Sequence, residues 1–348
     1  MKKSLELGYK VTRRRFVKGS LASVAVATTV AAPYIRSANA AAIKFRIGHA
    51  EAIGSPLTQA FDQWAKTIKA KSGGRIEPQH FPAGQLGSYT QLIEGSRIGT
   101  IHATAGGPDT EEAVAPEIAP FGGAPGFIYA NEAHVDKVLQ GPLGDQISKI
   151  ARQKTGVEFV AYGEAGFRHL LSKRPVTSLG ELKGLKMRVP EIKIWIDFWR
   201  KLGANPTPLP YAQQYNSLST GVIAGLEADF FSIRGYKWHE QAKHLTLAYH
   251  WFLPKAIRVN AKWLDALPAD LQELVRSSAK LAFAEQRKQN RANAESALGD
   301  LKKVGVTVHT LSDAEKKRWV GATDPLFAEF GKKSAATAAM IAKIRALR

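Results

Sequence analysis

The stretch Leu185-Lys186-Met187-Arg188-Val189-Pro190 carries the pattern that decides the fold. It reads as a short apolar strand with one arginine inside it. Pro190 stops the strand, and Glu191 opens a helix expected to run to Leu202. An arginine between Met187 and Val189 is costly to bury unless an anion pairs with it. Its planar fork suits a carboxylate held through two parallel hydrogen bonds. That carboxylate is either an Asp or Glu of the same chain or a bound ligand, and residue chemistry leaves both open.

Strand–helix units of this kind repeat in both directions. Upstream, Ile43 to His49 alternates as a strand. Ser55-Pro56 then caps a helix whose Leu57, Phe61, Trp64 and Ile68 share one face, and Gly73-Gly74 ends it. Strands are expected over Arg75–Phe81 and Ile101–Ala105, the second ending in a flexible Gly106-Gly107-Pro108. Val157–Tyr162 and Arg168–Ser172 read as two further strands, and Leu245–Asn260 as strand-like stretches around Pro254. A long helix starts after Leu267-Pro268 and continues towards Lys303. Gly305–Leu311 is a late strand, and Ser312-Asp313-Ala314-Glu315 caps a last helix. The alternation predicts an α/β fold with covered sheets. Without a low-complexity linker, two lobes would be joined by segments crossing between them.

The first forty residues are of another kind. Thr12-Arg13-Arg14-Arg15-Phe16-Val17-Lys18 precedes a weakly apolar run, Leu21–Ala32, and the small-residue exit Ala38-Asn39-Ala40. This is the layout of a removable export signal. The string resembles a twin-arginine signal, with Arg13 and Arg14 as the pair; a basic Sec signal is the alternative. The apolar run is too short for a span of ~20 residues. Export with cleavage near Ala40 places the mature chain in the periplasm.

Composition narrows the function. With no cysteine among 348 residues, thiolate metal sites, iron–sulfur clusters and disulfides are excluded. The net charge of +19 is inflated by the signal; the rest carries 41 basic and 29 acidic residues, a net of +12. Those charges are dispersed, without helix-turn-helix or zinc-finger spacing, which disfavours a nucleic-acid partner. A positive field would instead help collect small anions. No Walker loop, dinucleotide glycine fingerprint, nucleophile elbow or His-Glu-x-x-His is present, so neither cofactor, metal nor catalytic residue is expected.

Several strings taken together decide between the two readings of Arg188. Ser178-Leu-Gly-Glu-Leu-Lys-Gly-Leu-Lys-Met-Arg-Val-Pro190 and Leu202-Gly-Ala-Asn-Pro-Thr-Pro208 resemble the solute receptors of tripartite ATP-independent periplasmic (TRAP) transporters. Phe81-Pro-Ala-Gly-Gln-Leu-Gly87, Leu92-Ile-Glu-Gly-Ser96, and Trp263 with Leu267-Pro-Ala-Asp-Leu-Gln272 are similar to the same family, in order along nearly the whole mature chain. The resemblance implies two α/β lobes closing on a carboxylate, without covalent chemistry, for delivery to TRAP membrane subunits by a monomer. It implies a carboxylate clamp at Arg188, a second arginine at Arg168 and an aromatic contact at Tyr211. In Ala224-Gly-Leu-Glu-Ala-Asp229 the family's usual polar contact position holds Ala228, which turns attention to Asp229 and Phe230. Glu51 and the Gly106–Asp109 loop are candidates from the first lobe. Lobe I is expected over 41–165 with about 247–285, lobe II over 166–246 with about 286–332, and a basic, fraying tail over 333–348. The rival functions are an ABC-type anion-binding protein and a periplasmic enzyme exported by the twin-arginine route.

Overall fold

The computed structural model describes residues 41–348, so the export signal expected over 1–40 lies outside the described residues. Nine strands form one mixed sheet. They are β1 (Ile43–Gly48), β2 (Ile76–Phe81), β3 (Ala103–Gly106), β4 (Val157–Ser172), β5 (Lys186–Val189), β6 (Asn205–Pro208), β7 (Gly225–Ala228), β8 (His244–Asn260) and β9 (Thr307–Thr310). The order is β2-β1-β3-β8-β4-β7-β5-β6, with β9 beside β8. β1, β2 and β3 pair in parallel, as do β5, β6 and β7, while β4 and β8 run antiparallel to each other through the middle. Three parallel strands at each end thus flank a long central ribbon.

The helices form where caps and periodicity place them. Ser55 accepts from Thr58 N and starts the helix Pro56–Lys71, which buries Phe61, Trp64 and Ile68. Ser312 caps Asp313–Thr323 through Glu315 N. The helix after Pro268 runs unbroken from Ala269 to Lys303. Its N-terminal half supplies Leu271, Val275 and Phe283 to a core with Phe45, Phe61 and Trp64. Its C-terminal half supplies Ala297 and Leu301 to a second core with Leu226, Ile233 and Trp238. β4 and β8 are divided in the same way: Val160 and Val259 enter the first core, Leu171 and Leu245 the second. Three segments therefore tie the two ends together, and no flexible tether is needed.

Three expectations are corrected. β4 and β8 are each continuous, of 16 and 17 residues, where the sequence suggested broken strands. The interruptions are bulges: Pro254 faces Glu164 beside a register shift, and Gly166 has φ +90°. A bulge is where a strand tolerates a proline, because no ladder hydrogen bond is lost there. The loop after β3 is buried and fixed rather than flexible, since a Cβ at Gly107 would collide with Asp109 Oδ1 and Leu253. The tail does not fray. Ala335–Ala346 is a helix capped by Ser334, with Met340, Ile341 and Ile344 buried. His134 Nε2 lies 2.7 Å from Ile344 O and anchors it further. Alanine-rich sequence conceals this packing face because its large apolar residues are only Met340, Ile341 and Ile344.

Candidate ligand-binding site

A cavity enclosing about 450 Å³, open solvent at its mouth included, lies where the two halves meet. Arg168, Arg188, Tyr211 and Glu51, expected from the sequence, all line it. They are joined by Tyr89, Asp109, Trp195, Glu227, Lys255 and an apolar set that includes Pro190, Ile192 and Leu253.

The sheet order explains why two arginines twenty residues apart converge. β7 lies between β4 and β5, so Arg168 on β4 and Arg188 on β5 flank the strand that carries Glu227. Arg168 takes Glu227 in a two-point ion pair through Nε and Nη2, the second bond at 3.0 Å, and Nη2 also donates to Glu227 O at 2.8 Å. Burial opposes the Arg168 charge, but Glu227 more than offsets it and holds the guanidinium above its ordinary range. Burial pushes the Glu227 carboxyl upward, and the Arg168 charge and its two-point contact oppose that shift.

Arg188 is as buried as Arg168, each 3% exposed, but it is satisfied differently. Nε and Nη2 donate to one carbonyl, Leu209 O, at 3.1 and 2.9 Å. Tyr211 lies under the guanidinium, 5.3 Å from ring centre to Cζ. Among the described residues no carboxylate comes within 4.0 Å of it, and Nη1 donates to no protein group. Burial pushes its pKa down to about 10, with Glu227 and then Tyr211 opposing that shift. A charged fork with one edge free has the geometry to accept a carboxylate.

The other half adds a second closed ion pair. Lys255 Nζ on β8 is 2.7 Å from Glu51 Oε1, and both residues are buried. Burial works against the ammonium, but Glu51 and then Tyr89 hold it above its usual range. Glu51 N donates to His49 Nδ1 at 3.2 Å, and His49 contacts His80 at 2.7 Å, which fixes the turn that presents Glu51. From the loop after β3, Asp109 Oδ2 accepts from Trp195 Nε1 at 2.6 Å, while Oδ1 is buried without a partner. Burial pushes the Asp109 carboxyl up to about 6. Tyr211 packs edge-on against Tyr236 and Trp238.

Asp229 and Phe230 stand behind this lining rather than in it. Asp229 caps the helix Phe230–Gly235, accepting from Ser232 N and Oγ at 2.8 and 2.7 Å, with its Oδ2 3.6 Å from Arg168 Nη1. Phe230 stacks on His169 at 4.5 Å and belongs to the core with Leu226 and Trp238. Sequence reasoning left out Lys255, Tyr89 and Trp195. Lys255 bore the kind of signal that exposed Arg188, a cation inside an apolar run, but shared the run Trp251–Asn260 with Arg258, whereas Tyr89 and Trp195 sit at ordinary helical positions with nothing to mark them. Among the described residues no cluster of three His, Asp or Glu could hold a metal, and no helix is long and apolar enough to cross a membrane.

A family model described as bacterial extracellular solute-binding protein, family 7, matches residues 47–334. The chain belongs to that family, whose members are TRAP solute receptors. A solute-binding protein of Verminephrobacter eiseniae is 31% identical over 295 residues, covering 84% of this chain and 87% of the relative. A TRAP periplasmic solute-binding protein of Bradyrhizobium, solved with galacturonate, superposes with a TM-score of 0.81 at 29% identity over 87% of this chain and 99% of its own. One from Xanthobacter autotrophicus, with bound beta-D-galacturonate, gives 0.82 at 27% identity over 87% and 100%. The fold class read from the sequence, two α/β lobes around a ligand cleft, is the one these receptors share.

Proposed function

We propose that the protein captures a small organic acid in the periplasm, with the ligand carboxylate on the free edge of Arg188, and hands it to TRAP membrane subunits. One observation carries this reading: a guanidinium 3% exposed, fixed by a carbonyl and reached by no carboxylate of the described residues. Such a buried charge is costly until an anion arrives. Arg168, locked to Glu227, would hold the strand between the arginines and lend field rather than the principal contact. Tyr211 would pack on the ligand, and Ile192 and Leu253 would cover its carbon skeleton. The galacturonate-bound relatives make sugar acids the first compounds to try. Binding without catalysis fits a lining without a nucleophile–base pair.

The lobe division, 41–165 with about 247–285 against 166–246 with about 286–332, belongs to the same proposal, as do export through Arg13 and Arg14 and a monomeric state. The core around Phe61 and the core around Trp238 fall one on each side of that division, while a third, which holds Phe121, Phe198 and Trp199, crosses it. Trp195 Nε1 on Asp109 and Tyr236 Oη on Ala50 O (2.5 Å) span the cavity, so opening would break both. A thermal-shift screen of carboxylates tests the function. A ligand at ~100 times its Kd should add about 2.7 kcal/mol, and silence across the panel would refute the reading. The scattering radius should fall as ligand is added; an unchanged radius at saturation would rule out closure.

A further inference from the structure

The charges around the cavity are not interchangeable. Three buried cations line it: Arg168, Arg188 and Lys255. Glu227 engages Arg168 at two points, and Glu51 engages Lys255 at 2.7 Å. Only Arg188, among the three, has no carboxylate within 4.0 Å among the described residues. The remaining charged group of the lining, Asp109, is itself a carboxyl, with Oδ2 held by Trp195 and Oδ1 buried without a partner. The rest is tyrosine, tryptophan and aliphatic surface.

We infer that the site selects singly charged carboxylates and rejects dicarboxylates, because the Glu51–Lys255 pair removes the cation that a second carboxylate would need. This rests on the carboxylate reading above and narrows it. The first carboxylate of a ligand completes Arg188. A second, carried on the same skeleton, enters a lining whose other two cations already have partners and whose remaining carboxylate oxygens belong to Glu51 and Asp109. It must either stay desolvated without a counter-charge or displace Glu51 from Lys255, leaving Glu51 buried and alone. Both are unfavourable, since an ion stripped of water needs its own partner. Hydroxyls on the same atoms meet no such penalty, because Glu51, Asp109 and the tyrosines can accept or donate to them. Specificity against the dianion is thus achieved by repulsion and not by size.

Matched pairs isolate the charge: galactonate with galactarate, 3-hydroxybutyrate with malate, and butyrate with succinate. Titration calorimetry at about pH 7.5, where both carboxyls of each diacid are ionised, gives the ratio within each pair. In every pair that binds, the monoacid should bind about 100-fold more tightly. Glu51→Gln frees Lys255 and should narrow that gap by at least about 10-fold, mainly by improving the diacid. Melting of the variant shows whether it is folded, and if it is not, the wild-type ratios decide alone. A diacid that binds wild-type protein as tightly as its monoacid overturns this inference while leaving the carboxylate reading intact. Silence from all six compounds overturns the carboxylate reading, and this inference with it.

Discussion

Arg168 and Arg188 sit on the two strands that flank β7, equally buried, and are satisfied differently. Around Arg168 the chain supplies a carboxylate, and the result is a cross-strand clamp between β4 and β7. Around Arg188 it supplies a carbonyl and an aromatic face, and no carboxylate among the described residues. Burial does not distinguish the two arginines, and the identity of the hydrogen-bond acceptor does. The same desolvation is offset by a carboxylate at Arg168 and is left without one at Arg188.

The largest expected effect breaks this contrast at Arg188. Arg188→Ala should cost ~3–5 kcal/mol of binding to whichever carboxylate gives the strongest thermal shift. That is a loss of ~100-fold to several thousandfold, measured by calorimetry. The ligand-free variant should lose little stability, and Arg188→Lys should also bind poorly for want of a fork. A variant that unfolds yet binds normally in its folded fraction would make Arg188 a structural residue.

Arg168→Ala should show the mirror image. Removing it strands Glu227 at 1% exposure, so the unfolding free energy from urea titration should drop by ~3–5 kcal/mol. Unchanged stability with abolished binding would move Arg168 into direct contact with the ligand.

Asp109 sharpens the comparison through pH. Its carboxyl rises from an ordinary 3.8 to about 6 because burial disfavours the charge. The folded state then holds its proton more tightly than the unfolded chain. Stability from this group is full below the unfolded value, falls as pH rises between the two, and stays reduced above about 6. By linkage the cost is about 3 kcal/mol on the alkaline side. Asp109→Asn, which keeps an oxygen for Trp195, should therefore raise the melting temperature near pH 8 and leave it unchanged near pH 4. A gain of equal size at both would assign the effect to packing.

The smallest effect is expected at Asp229. Asp229→Asn retains the cap on Ser232 and loses only the 3.6 Å approach to Arg168, so both stability and affinity should change by less than about 1 kcal/mol. A tenfold or greater loss of affinity would bring Asp229 into the ligand shell, where the sequence resemblance first put it.

What the sequence determined by itself is whatever depends on neighbours along the chain. Ser55-Pro56 and Ser312 start helices because a cap needs only the next three residues. Arg188 stood out because an arginine between Met187 and Val189 in a short strand is visible locally. What the tertiary structure decided is the pairing of charges across strands. Whether Arg168 meets Glu227, 59 positions away, and whether Lys255 meets Glu51 depends on strand order and register, and a shift of one residue would turn each side chain to the other face. So the local string announced a buried arginine, and only the order β4-β7-β5 settled which arginine the protein had already neutralised.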